Sequence, residues 1–159
     1  MRGLNLAVQA MKARLTPASS TPAHVVVGIL KGAHTDVDEG ALESSVPIAP
    51  YAAMMEFGTS RTPPRPFLRQ TFAKRQSEWK KGACQLVEDY GLRDPRQILD
   101  RLGDTMARDV TAEIRSGDFA PDAPATIAAK ERKGRPHPDA PLRDTESMIN
   151  AVRYEVRNK

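Results

Sequence analysis

Pro50-Tyr51-Ala52-Ala53-Met54-Met55-Glu56-Phe57-Gly58-Thr59, followed by Pro63-Pro64-Arg65-Pro66-Phe67-Leu68-Arg69, is the stretch on which the reading of this chain turns. A short apolar segment runs into Glu-Phe-Gly-Thr, a stiff proline turn follows, and Phe67-Leu68 opens a long helical pattern. Nothing in it looks like a catalyst. It reads as a shaped loop anchored by aromatics, a feature suited to protein contacts.

Downstream of the turn, Leu68, Phe72, Trp79, Ala83, Leu86 and Tyr90 form one apolar stripe, predicting a helix from near Pro66 to Tyr90. Gly91 stands where a left-handed cap belongs. Asp94-Pro95-Arg96-Gln97 begins a second helix: Asp94 caps it, Pro95 suits the first turn, and Gln97 can reach back as in a capping box. Ile98, Leu102, Met106, Val110 and Ile114 supply its apolar edge and Gly117 its stop, so the two helices should lie antiparallel.

Upstream, Leu4, Val8, Met11 and Leu15 mark an amphipathic helix, ended by Pro17. His24 to Leu30 is short and β-branched, a strand with apolar residues on both faces, expected inside a sheet covered by helix. Near the other end, Val152, Tyr154 and Val156 alternate with Arg153, Glu155 and Arg157, a half-buried strand that should pair with the one near Val25. Asp144 is placed to cap a short helix through Asn150, and 125–133 to make one or two helical turns. Mobile loops are expected near 31–50 and 118–141, the second rich in proline. The fold class is therefore α+β: a small antiparallel sheet packed against long helices in a single domain of 159 residues.

No apolar run approaches the roughly 20 residues that span a bilayer. The start, Met1 to Leu6, lacks the apolar core of a secretory signal, which predicts a soluble protein made in the cytosol. The formal charge of +4 invites a nucleic-acid reading, but its distribution points elsewhere. Between 61 and 81, Arg61, Arg65, Arg69, Lys74, Arg75, Lys80 and Lys81 face Glu78 alone, whereas Asp36, Asp38, Glu39 and Glu43 form an acidic segment. Opposite blocks on one small domain suit pairing between copies or with a partner; otherwise both are solvated faces.

Chemistry finds little support. His24, His34 and His137 are scattered without a second ligand at metal spacing, and Cys84 is the only cysteine, so neither disulfide nor cysteine zinc site is expected. Cys84 sits beside the stripe, as a small core or boundary residue would. The Gly-rich lead of a phosphate loop is missing, and from Asp36 a calcium loop fails at Gly40 and Pro47. The expectation is no enzyme, no cofactor and no metal. Lys130, Arg132, Lys133 and Arg135 form a basic patch without aromatics to stack on bases.

Two blocks resemble the tail-completion, or neck, proteins of long-tailed bacteriophages. The first is Tyr51-Ala52 through Glu56-Phe57-Gly58-Thr59, then Arg65-Pro66-Phe67-Leu68. The second is Ala125 to Lys130 and Lys133-Gly134, then Pro141-Leu142-Arg143-Asp144-Thr145, ending in Met148 to Val152. Glu146 stands where such proteins usually carry Gly. The resemblance spans most of 24–157, and neck, terminator and minor tail proteins share these features. It implies a ring, six copies being the expected number, that completes the tail's upper end in the virion after assembly in the bacterial host cytoplasm. Implied partners are other copies, the terminator or tube protein and the head-tail connector, with DNA passing only through the channel.

Candidate contact residues are then Glu56, Phe57, Arg61, Arg65, Phe67, Asp36, Asp38 and Glu39. Phe57 either locks into a neighbouring subunit or anchors internally on Phe67, and Arg65 is expected to pair with an acid of the next copy. Lys130, Arg132, Lys133 and Arg135 would line the DNA channel or meet a partner. The alternatives are a tail terminator or minor tail protein, or a basic DNA-binding accessory protein.

Overall fold

A computed structural model describes residues 23–30, 48–91, 94–144 and 146–158. The expected helix at 3–15, the acidic residues Asp36, Asp38 and Glu39, and His34 lie outside the described residues.

Strand β1 (Ala23–Ile29) pairs antiparallel with β2 (Val152–Asn158), from Ala23↔Asn158 to Ile29↔Val152. The pairing expected from the alternation of Val152, Tyr154 and Val156 is therefore present. The register puts Val25, Val27 and Ile29 on the same face as those three residues, and the opposite face carries His24, Val26, Arg153, Glu155 and Arg157. Among the described residues the sheet has these two strands, so β1 is an edge and not the interior strand expected; the face of Val25, Val27 and Ile29 is covered by helix, the architecture of an α+β domain.

Helix α1 (Ile48–Phe57) corrects the reading of the first block as a loop. It is apolar nearly all round, so no 3.6-residue alternation advertises it, and Pro50 falls in the first turn, where a missing N–H costs nothing. It also moves Ile48 to Pro50 out of the loop expected over 31–50. Helix α2 (Phe67–Tyr90) spans the predicted helix and ends at Gly91, whose N–H donates to the Val87 carbonyl. Helix α3 (Pro95–Ser116) is capped by Asp94, which accepts from the Arg96 and Gln97 amides, and ends at left-handed Gly117. Ion pairs and hydrogen bonds join Lys74 to Glu113 and Trp79 to Asp109, fixing α2 and α3 as an antiparallel pair.

The buried face of α2 differs from the predicted stripe. Phe67, Thr71 and Trp79 are buried, while Phe72 and Tyr90 are about half exposed. Phe67 sets this rotation: it enters the core beside Ile48, Ala52 and Met55 of α1 and Val110 and Ile114 of α3. Cys84 faces solvent rather than a core boundary.

Helix α4 (Pro124–Arg132) supplies the helical turns expected near 125–133, and α5 (Ser147–Asn150) the short helix before β2. Asp144 does not cap α5. Its carboxylate accepts from Arg135, and Glu146 precedes the helix instead, in the left-handed region at φ 60°.

The ribbon meets α3 at Gly103. A Cβ there would run into the Tyr154 ring and lie 2.8 Å from Val25 Cγ2. Gly103→Ala should cost about 1–3 kcal/mol by overpacking, offset by about 1 kcal/mol of helix propensity. A thermal melt should therefore show a net loss; a gain would mean that the ribbon lifts freely.

Candidate contact site

The first block is built around a buried carboxylate. Glu56, at the end of α1, accepts from the Leu68 amide through Oε2 (2.9 Å) and from the Arg69 amide through Oε1 (3.1 Å). Helix α2 has no side-chain cap from Pro66, so Glu56 supplies a remote one, a negative charge against the positive end of the helix. Arg69 Nε donates back to Oε1 (2.9 Å) and its Nη2 to the Glu56 carbonyl (2.7 Å). Glu56 is thus an internal bracket, which corrects its assignment as a subunit contact.

Phe57 comes next and is 68% exposed. The Arg69 guanidinium lies 4.9 Å from its ring centroid, a cation–π contact that holds the ring outward. Phe57 is therefore not buried as an internal anchor, and Phe67, fully buried, is corrected from contact to core residue. Gly58 follows at φ 76°, and any Cβ there would meet the Pro64 nitrogen at 2.9 Å; the chain can reverse only through glycine. The Thr59 hydroxyl accepts from the Arg61 and Thr62 amides and closes the turn, with Arg61 exposed at its tip.

Arg65 and Lys130, both expected at a contact surface, are buried. Arg65 Nη2 pairs with Asp122 Oδ1 at 2.7 Å, and its Nε and Nη2 donate to the carbonyls of Ala120 and Pro121. Lys130 Nζ pairs with Asp122 Oδ2 at 2.7 Å and donates to the carbonyls of Ala140 (2.9 Å) and Arg143 (3.0 Å). Three acceptors match the three ammonium protons. Neither cation is available to a neighbour or to DNA. The basic patch is reduced accordingly: Arg132 and Lys133 are exposed, whereas Arg135 is half-buried against Asp144 at 2.9 Å.

This hub ties the two sequence blocks together, since Arg65 belongs to the first and Lys130 to the second. The acid that joins them, Asp122, lay between prolines in an irregular stretch and carried no sequence signal. Tyr51 lines the adjoining cavity of about 250 Å³. Burial raises its phenol pKa, Asp122 adds to that, and Arg65 opposes it. Among the described residues no group of three or more His, Cys, Asp or Glu is placed to hold a metal ion.

No family model matches the chain, and no curated protein or solved structure is significantly similar to it.

Proposed function

We propose that this chain is a structural subunit of the neck of a long-tailed phage, a ring that completes the tail's proximal end and joins it to the head connector. The observation that carries the reading is the mounting of Phe57. An aromatic 68% exposed, backed by a buried bracket and a glycine-only turn, is built to be held out rather than to react. Two further features agree with it. The sequence blocks of the resemblance converge on one buried ion cluster, and Glu146 takes a left-handed conformation at the position where the resembled proteins usually carry glycine.

On this reading the partners are other copies of the chain, the terminator or tube protein and the connector, with DNA passing through the lumen. The DNA-binding alternative is weakened because Lys130 is buried and Arg135 is paired.

Deleting the gene from its phage and imaging the lysate by electron microscopy tests the assignment. Filled heads beside full-length, unjoined tails are expected. Overlong tails would move the protein to the terminator, and normal infectious particles would overturn the reading.

A further inference from the structure

Helix α2 carries two apolar faces. Phe67 and Thr71 are buried on one. Leu68, Phe72 and Trp79 mark the other, the stripe that the sequence of α2 advertises. With Val27 of β1 and Val110 of α3, these three residues line an open groove of about 230 Å³. Arg69, which also lines it, is held by Glu56 at 2.9 Å. Phe72 meets Trp79 edge to face, 5.8 Å between ring centroids, and is itself 55% exposed. An aromatic pair on an apolar stripe, set in a groove beside a strand, fits a second apolar stripe laid over it.

The described part of the chain enters β1 at Ala23, opposite Asn158. Arg96 donates to the Val156 carbonyl, so this end of the ribbon stands beside the start of α3 and the C-terminal half of α2. At the other end, a Cβ on Gly28 would lie 3.9 Å from Leu68, in the first turn of α2. Strand β1 therefore runs antiparallel to α2. Before Ala23 come Leu4, Val8, Met11 and Leu15, a stripe about 17 Å long at 1.5 Å per residue, the same run as Leu68 to Trp79. Residues 16–22 reach about 25 Å at most, roughly the length of β1, enough to turn the stripe back along the strand. The charged side chains of 1–22 are Arg2, Lys12 and Arg14, all off the stripe, where their heads stay in water.

We propose that residues 4–15 of this chain form a helix seated in the groove between β1 and α2, its Leu4-to-Leu15 stripe packed on Leu68, Phe72 and Trp79. The helix runs antiparallel to β1 and parallel to α2. Its arrival explains why α2 advertises a stripe that its core face does not use. The contact is internal to one chain, and it holds whether or not the protein stands in a phage neck.

Hydrogen exchange of the full chain, read at the 4–15 amides over a micromolar concentration series, tests it. Those amides should be protected equally at every concentration. Val8→Asp on the stripe and Phe72→Ser in the groove should each lower that protection at least roughly 10-fold, the weight of one buried valine. The Val110 and Ile114 amides should stay protected in both, and Gln9→Asp, the same charge one residue away on the polar face, should change nothing. Trp79, the single tryptophan, reports the groove itself: Val8→Asp should raise its quenching by acrylamide, and Gln9→Asp should not. If Val8→Asp unfolds the whole chain, Phe72→Ser, at a half-exposed position, still decides. Unprotected 4–15 amides in the wild type, or protection that survives Phe72→Ser, overturns the proposal. So does Trp79 quenching unmoved by Val8→Asp, or protection that appears only as concentration rises, the mark of a second copy in the groove.

Discussion

Asp122→Ala should cost this fold about 3–5 kcal/mol, because it leaves two buried cations facing each other with nothing between them. The side chains of Arg65, Asp122 and Lys130 are 5%, 8% and 8% exposed, so water cannot readily replace the lost carboxylate. For a chain of this size the loss corresponds to a fall of roughly 6–20 °C in melting temperature. Replacing all three at once, Arg65→Met with Asp122→Leu and Lys130→Met, should recover only part of that, since an apolar trio needs no counter-charge but leaves the carbonyls of Ala120, Pro121, Ala140 and Arg143 without these donors. Urea unfolding of the single and triple variants measures both. A loss under about 1 kcal/mol for Asp122→Ala would show that the cluster opens to solvent without strain.

Glu56→Gln should cost about 2–3 kcal/mol. The side chain keeps its shape but turns an amide N–H₂ toward donors, the Leu68 and Arg69 amides or the Arg69 guanidinium. It also removes the negative charge from the N-terminal end of α2. Arg69→Ala is the contrast: that guanidinium is 58% exposed, and its ion pair with Glu56 should contribute under about 1 kcal/mol. Equal losses in the two variants would show that the ion pair, and not the helix cap, carries the effect. Hydrogen exchange at the Leu68 and Arg69 amides separates them directly, because the Glu56 variant alone should unprotect both.

What the sequence disclosed and what it concealed divide along physical lines. Helices α2 and α3 and the two strands carry their own periodicity and their own end signals, Asp94 and Gly117 among them, and stand where the pattern puts them; Gly91 ends α2 at positive φ but with extended ψ, not as the left-handed cap expected. Helix α1 has apolar residues on every side, so pattern alone cannot tell it from a loop anchored by aromatics. The site was harder to read because charge does not announce burial. Lys130 sits in a run of basic residues, yet it lies three residues after Ile127, the half-buried apolar position of α4, and so shares its inward face. That spacing was a readable signal. Glu56 gave less: it caps a helix that begins eleven residues later, and only the folded turn brings the two together.

The long reach of the terminal ribbon also sets an order of events during synthesis. Strand β1 is complete at Ile29, but its partner does not begin until Val152 has been made. At about 5–20 residues per second the ribosome needs roughly 6–25 s to cover that interval. Through all of it, Val25 and Val27 have no ladder, and the Gly103 face of α3 has no ribbon to cover it. Helices α2 and α3, joined locally, can dock early, so the ribbon closes after them and the nascent chain carries an unpaired apolar strand until Val152 to Asn158 have emerged.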